Sequence, residues 1–141
     1  MKIDRNKVYN KLDGHCGYCG REITLKEMQV DHMIPKAIYS VYQKARNLPF
    51  CCNDESNIMP SCRKCNHYKR AETVEAFRVT MKTLHKRLEK IYINNVAINF
   101  GMIDIKPFDG VFYFEKTKIK DNETTTILLR KSPSRASLGD R

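Results

Sequence analysis

The stretch N-I-M-P-S-C-R-K-C-N-H-Y-K-R, from Asn57 to Arg70, decides how the rest of this sequence is organised. A helix that begins near Cys62 has four polar side chains on one face, because residues three or four apart are neighbours on a helix surface. These side chains are Cys62, Cys65, Asn66 and Lys69. Two thiols, an amide and an ammonium do not make a hydrophobic stripe. They fit the edge of a metal-dependent phosphate site, and the remaining ligands must come from elsewhere in the chain.

Two C-x-x-C pairs supply those ligands. They are Cys16-x-x-Cys19 and Cys62-x-x-Cys65, with 42 residues between them. Four thiolates suit a tetrahedral structural zinc ion, to which each pair contributes two ligands from a tight turn. The alternative is two disulfides or unligated buried thiols. Cys51 and Cys52 lack this spacing, and we predict that neither is a ligand.

The predicted zinc site has a structural purpose. The segment before the long helix has few large apolar residues, so a metal crosslink replaces the core that it lacks. A site of four cysteines is coordinatively closed, and we therefore expect this zinc to take no part in chemistry.

Length and charge limit the class of protein. A chain of 141 residues predicts one domain, or one small domain with an appendage. The net charge of +10 favours a polyanionic partner, with a well-solvated basic surface as the alternative. No apolar run approaches the roughly 20 residues of a transmembrane helix, and the charged N-terminus does not resemble a secretory signal. We expect no membrane partner and an intracellular, reducing compartment, where cysteines serve as ligands or free thiols.

Periodicity places the motifs on secondary structure. Alternation over residues 27–32 predicts a short strand that ends at Asp31-His32. The connection over residues 36–56 should contain a short helix. Apolar residues at three-four spacing then predict an amphipathic helix over residues 73–92, packed on the small metal-stapled core.

The end of the chain differs in character. Val111–Phe114 and Thr125–Leu129 are rich in β-branched, aromatic and aliphatic residues, and Asp121-Asn122 favours a turn between them, so a β-hairpin is predicted. We expect a domain at residues 1–92, an appendage with the hairpin at 93–130, and a disordered basic tail at 131–141.

A second group of ligands accompanies the cysteines. The predicted zinc ion ties the two C-x-x-C pairs together and so brings Asp31-His32 towards Asn66. A carboxylate and an amide oxygen suit magnesium, which keeps waters and binds phosphate oxygens. Beside that ion, His32 could take a proton from an attacking water. Taken singly, each of these residues could instead be structural.

The motifs C-x-x-C, V-D-H-M-I-P-K and N-I-M-P-S-C-R-K-C-N-H-Y-K, in this order, resemble the zinc-stapled form of the HNH endonuclease family. The resemblance covers about residues 14–70 and is greatest to the small versions found in bacteriophage and bacterial genomes. It implies an α+β fold with a ββα-metal core, which carries Asp31-His32 on its first strand, Asn57 in the connection and a helix from about Cys62. The amphipathic helix and the C-terminal hairpin should follow this core.

The same resemblance implies roles for individual residues. His32 would be the general base for water, and Asn57 would orient it. Asp31 and Asn66 would hold a catalytic magnesium or manganese ion. Asn66 stands where the family name has its final histidine, and it keeps an oxygen ligand. The basic residues expected to contact DNA phosphates are Lys36, Arg63, Lys69 and Arg70.

The resemblance thus implies a metal-dependent DNA endonuclease that hydrolyses phosphodiester bonds, mainly in double-stranded DNA. One site cuts one strand, so a monomer would nick, and a homodimer or a second event would break both strands. A phage or bacterial protein is a further partner to expect, in the cytoplasm of a bacterial or phage-infected cell. The alternatives are a non-catalytic zinc-stabilised module that binds nucleic acid or protein, and an RNA-processing protein built on the same core.

Overall fold

A computed structural model describes residues 2–117 of the chain. A two-stranded antiparallel sheet lies at the centre of the described region, with helices before, between and after its strands. The elements are α1 (Arg5–Asn10), β1 (Gln29–His32), α2 (Lys36–Arg46), β2 (Ile58–Ser61), α3 (Arg63–Lys69), α4 (Val74–Lys82), α5 (Leu84–Glu89), α6 (Tyr92–Asn99) and α7 (Tyr113–Lys116). None of the helices in this range has the length and apolar character needed to cross a lipid bilayer.

The sheet and α3 form the predicted ββα unit. β1 and β2 pair so that Gln29 faces Ser61 and His32 faces Ile58. Cys62 follows β2 directly and caps α3, because its Sγ accepts a hydrogen bond from the backbone N–H of Cys65 at 3.4 Å. The strand at Asp31-His32 and the helix from Cys62 are therefore confirmed.

The main core is built on aromatic rings from three parts of the chain. Tyr18 in the first cysteine turn meets Phe77 of α4 and Phe112 edge to face, with ring centroids 5.4 and 5.2 Å apart. Phe77 and Phe112 stack on each other at 5.4 Å. Because buried aromatic pairs contribute both apolar area and favourable ring geometry, this cluster fastens the cysteine turn to α4.

The helix predicted over residues 73–92 is not continuous. It is interrupted at Thr83, and α4 and α5 lie on either side. The Thr83 hydroxyl donates to the carbonyl of Thr80 at 3.1 Å, a local bond that competes with regular helix geometry. The buried residues of α4 are Val74 and Phe77, whereas Ile91 at the end of the predicted stripe is 48% exposed.

The prediction that Val111–Phe114 forms the first strand of a C-terminal hairpin is also wrong. Val111–Phe114 lead into α7, because the Phe112 N–H donates to Glu115 Oε2 at 2.7 Å and so begins a helix. Phe112 and Phe114 are buried in the main core. The N–H of Phe114 donates to the Gly17 carbonyl at 2.8 Å. Thr125–Leu129, the turn at Asp121-Asn122 and the tail at 131–141 lie outside the described residues.

The connection between β1 and β2 has a small core of its own. Ile34, Tyr39 and Leu48 are buried together, with Phe50 packed against them. The Tyr39 hydroxyl donates to the Phe50 carbonyl at 3.2 Å, and Gln43 Nε2 donates to the same oxygen at 3.0 Å. The predicted helix in this connection is confirmed as α2, and these contacts hold the loop that returns to β2.

Candidate metal centre and active site

The four cysteines of the two C-x-x-C pairs meet at one point. The Sγ atoms of Cys16, Cys19, Cys62 and Cys65 all lie within 4.8 Å of one another. The Sγ atoms of Cys19 and Cys62 are 3.9 Å apart. Metal–sulfur bonds of 2.3 Å around a tetrahedral ion place sulfur atoms about 3.8 Å apart, so the cluster has the dimensions of a four-thiolate metal site.

The protonation of these thiols explains why the cluster requires a cation. The Cys65 thiol donates to Cys16, a bond that lowers the pKa of Cys16 to about 4 and raises the pKa of Cys65. Burial raises the pKa of Cys19 to about 11. Neighbouring thiols therefore cannot all lose their protons unless a positive charge sits between them, and a divalent ion supplies that charge.

Glycines allow the first cysteine turn to fit its surroundings. Gly20 has a φ of +74°, and a Cβ there would lie 2.5 Å from the Tyr113 ring. A Cβ on Gly17 would lie 2.5 Å from Cγ of Met59 in β2. Only glycine permits such close approach, so the turn that carries Cys16 and Cys19 packs directly on the strand that leads to Cys62.

Asp31 is buried beneath this turn and is already engaged. It is 5% exposed, and its carboxylate accepts a hydrogen bond from the Tyr18 hydroxyl. The ammonium of Lys69, itself fully buried, lies 3.0 Å from Asp31 Oδ2 and 3.2 Å from Oδ1. Burial raises the pKa of the Asp31 carboxyl, while Lys69 and Tyr18 act in the opposite direction. The pair therefore places a carboxylate and its counter-charge inside the fold.

His32 lies at the end of β1 and is half-buried. Its ring Nε2 lies 2.9 Å from Oδ1 of Asn53, in the loop before β2. Its carbonyl accepts a hydrogen bond from the Lys69 ammonium at 2.9 Å. The ring and the backbone of His32 are thus held by two different parts of the chain.

Asn57 is fully buried, and its side chain holds backbone rather than the His32 ring. Its Oδ1 accepts from the Ile34 N–H at 2.8 Å, and its Nδ2 donates to the carbonyls of Ile34 at 3.1 Å and Cys52 at 2.8 Å. Both N–H groups of the amide are therefore used. Asn57 fixes the segment that follows His32, so its effect on the ring is indirect.

Asn66 lies on α3, with its amide turned to β1. Its Nδ2 donates to Oε1 of Gln29 at 2.9 Å, which fixes the orientation of the amide. Gln29 and Asp31 lie on the same face of β1, because alternate residues of a strand share a face. Helix α3 therefore contacts that face twice, at Gln29 through Asn66 and at Asp31 through Lys69.

The predicted phosphate-binding residues divide into two groups. Lys36, Arg63 and Arg70 are exposed, as the prediction requires. Lys69 is fully buried and bonded to Asp31. In this structure its ammonium faces no solvent, because the turn of α3 that carries it packs on β1.

The sequence did not indicate two contacts of the site. It did indicate which four cysteines lie together. The Tyr18 hydroxyl donates a hydrogen bond to Asp31. Asn53 contacts the His32 ring, and no motif marks either residue in the sequence. Cys51 and Cys52 lie outside the four-thiol cluster found among the described residues, in agreement with their predicted exclusion.

Comparisons with known proteins show what this chain is similar to. Residues 16–72 match the family model described as HNH endonuclease. Among solved structures, the type II-C Cas9 enzyme from Actinomyces naeslundii is similar to this chain, with 19% identity and a TM-score of 0.42 over 68% of this chain and 10% of that chain. This chain therefore spans about a tenth of that enzyme. A comparison with curated proteins gives no match. The matched residues contain both cysteine pairs, both strands and α3, so the likeness to the HNH endonuclease family covers the whole ββα unit and the four-cysteine cluster.

Proposed function

We propose that this chain is a metal-dependent endonuclease that hydrolyses phosphodiester bonds in double-stranded DNA. The observation that carries the proposal is the convergence of three features at β1. His32 ends the strand, Asp31 precedes it, and α3 brings Asn66 against the same strand through Gln29. A module that only binds nucleic acid has no need of this combination.

The ion at the four cysteines is proposed to be zinc. Thiolate ligands in a tetrahedral set of this size are typical of structural zinc, and all four positions are filled by protein. Such an ion holds the first cysteine turn to α3 and has no open position for water or substrate.

The catalytic ion is proposed to be magnesium or manganese, held by Asp31 and Asn66. The Asn66 Nδ2 is taken by Gln29, so its Oδ1 is the atom left for a hard cation. The Asp31 carboxylate offers about four acceptor positions, and contacts with Lys69 and Tyr18 occupy three of them. When bound, such an ion supplies Lewis-acid stabilisation of charge on the phosphate oxygens.

His32 is proposed to be the general base. Its imidazole takes a proton from water as the water oxygen bonds to phosphorus, and the bond from phosphorus to the 3′-oxygen breaks. The departing 3′-oxygen takes a proton from solvent water, so the products are a 5′-phosphate and a 3′-hydroxyl. Lys69, through the His32 carbonyl, and Asn57, through the following turn, hold the backbone that carries the ring.

Affinity for DNA is proposed to come from the basic surface. The net charge is +10, and Lys36, Arg63 and Arg70 are exposed. Contacts from such side chains to phosphate position the duplex without reading its sequence. One site per chain would cut one strand, and a homodimer would cut both.

Supercoiled plasmid provides the test. With Mg²⁺ or Mn²⁺ the wild type is expected to produce nicked circles, and His32→Ala should lose at least about 100-fold of this rate, as expected for loss of a general base. His67→Ala is the matched control, because His67 is exposed on α3 beside Asn66. Intact plasmid with the wild type, or equal cutting by His32→Ala, would refute the assignment.

A non-catalytic zinc-stabilised module that binds nucleic acid is the second candidate. The observation in its favour is the buried state of Asp31, whose charge is balanced by Lys69 without an added ion. Under this reading, the wild type would retard DNA in a gel with or without Mg²⁺ and leave the plasmid supercoiled.

A further inference from the structure

We propose that Asn53 is the positioning residue of His32, and that presenting Asn53 is the task of the long connection between β1 and β2. The inference rests on the proposed function, since it assigns a residue to the same site. Its starting point is the 2.9 Å contact between Asn53 Oδ1 and His32 Nε2. Asn57, which the family resemblance assigns to this task, uses both amide N–H groups on backbone carbonyls.

The chemistry of this contact decides which ring nitrogen is the base. An amide oxygen can only accept a hydrogen bond, so Nε2 of a neutral His32 carries the proton and donates it. The lone pair is then on Nδ1. Among the described residues, His32 makes hydrogen bonds through its Nε2, to Asn53, and through its carbonyl, to Lys69, and none through Nδ1. Nδ1 is thus the ring nitrogen open to receive a proton from water, and Asn53 fixes both the tautomer and the ring orientation.

The connection is built to hold Asn53 in place. Phe50 is fixed on one side of it, because its carbonyl accepts from Tyr39 and Gln43 of α2. Cys52 is fixed next to it, because its carbonyl accepts from Asn57. The Asp54 N–H closes the turn with a 3.0 Å hydrogen bond to the Cys51 carbonyl. The small core around α2 thus supports a loop that reaches back to β1.

The expected loss of kcat in variants of Asn53 follows from its role in positioning the His32 ring. General base catalysis contributes about 10²- to 10⁴-fold, and a base with an unfixed ring keeps part of it. We expect Asn53→Leu, which keeps the size of the side chain and removes the acceptor, to lower kcat for plasmid nicking about 10- to 100-fold with little change in KM. Asn53→Asp keeps an acceptor and should retain most of kcat. Its added negative charge should raise KM for DNA.

A spectroscopic signature separates positioning from folding. In the full zinc-loaded chain labelled with ¹⁵N-histidine, the Nε2–H of His32 should give a cross-peak with slowed solvent exchange, because the proton is held in a hydrogen bond. The cross-peak should persist in Asn53→Asp and disappear in Asn53→Leu. Cys51→Ala is the matched control, since Cys51 is an exposed side chain of the same loop and its replacement leaves the Asn53 acceptor and its supports intact. It should keep the cross-peak and most of kcat.

The outcomes distinguish this inference from the proposed function. If the wild type does not nick plasmid, the proposed function fails, and the cross-peak still decides whether Asn53 holds the ring. If the wild type nicks and Asn53→Leu keeps both kcat and the cross-peak, the positioning role is overturned. A loss of kcat in Cys51→Ala equal to that in Asn53→Leu would also overturn it, since general loosening of the loop would then account for the effect.

Discussion

The two proposed sets of ligand residues differ in how the fold balances their charge. The four cysteines lie within 4.8 Å of one another, and a divalent ion is needed to let them ionise together. Asp31 is also buried, but the Lys69 ammonium lies 3.0 Å from it and neutralises it from within the chain. The four cysteines therefore need a cation if they are to ionise together, whereas the charge of Asp31 is balanced by a residue of the chain itself.

Removing the proposed zinc ion should have the largest effect. Structural zinc in small domains contributes an apparent 10–16 kcal/mol, about the whole stability of a domain. Chelation, or Cys65→Ala, is therefore expected to abolish the cooperative thermal transition measured by circular dichroism. Metal analysis should give about one zinc per chain. Cys51→Ala, at an exposed thiol outside the cluster, should leave both measurements unchanged. A chelated chain with the same melting temperature as the metal-loaded chain would show that the fold does not depend on an ion at the four cysteines.

Removing the internal counter-charge at the second site should have the next largest effect. Lys69→Met leaves the Asp31 carboxylate buried and unpaired, which costs about 3–5 kcal/mol. Urea unfolding of the zinc-loaded chain measures this loss. Adding Asp31→Asn to the variant should restore most of the stability. Lys64→Met, at an exposed position of the same helix, should change the free energy of unfolding by less than about 0.5 kcal/mol. A similar change in both lysine variants would show that Lys69 is not a structural counter-charge.

The contrast between the two sites also shows what the sequence could reveal. Ligand spacing is a local property, because a C-x-x-C turn presents its two sulfurs wherever it lies. The meeting of Cys16 and Cys62, and the helix that begins at Cys62, could therefore be predicted. Placing Asn66 and Lys69 on one face of that helix was equally local. Whether that face meets solvent or β1 is a property of packing, and this is why Lys69 was assigned to phosphate although it is buried.

The remaining errors have the same origin. Val111–Phe114 has strand propensity, but the burial of Phe112 and Phe114 against Tyr18 and the hydrogen bond that the Phe112 N–H donates to Glu115 outweigh it. Asn53 lies 21 positions from His32, in a loop with no motif of its own. Its contact depends on the small core around α2, which periodicity over so short a segment does not reveal.

Asn66 separates the two sites on one helix. Asn66→Ala removes the proposed oxygen ligand and should lower nicking by about 100-fold or more, as expected when ion binding and positioning are lost. It also removes a hydrogen bond to Gln29, worth only about 0.5–1.5 kcal/mol. Stability should therefore change little, in contrast to Cys65→Ala on the same turn. Gln29→Ala is the control, since it breaks the same hydrogen bond and keeps the ligand oxygen. Equal loss of nicking in both variants would exclude a ligand role for Asn66.

The smallest effect is expected at the exposed cations of α3. Arg63→Ala should weaken DNA binding a few-fold and reduce the slope of log K against log salt by about 1, because one phosphate contact is lost. Its kcat for nicking should remain that of the wild type. Lys69→Met removes a charge of the same sign from the same helix, but that charge is balanced by Asp31 and meets no solvent. Its salt slope should therefore equal that of the wild type wherever the variant is folded. A reduced slope for Lys69→Met would mean that, in the wild type, the Lys69 ammonium leaves Asp31 and contacts a phosphate when DNA binds. The proposed catalytic site would then exchange an internal counter-charge for a bound ion.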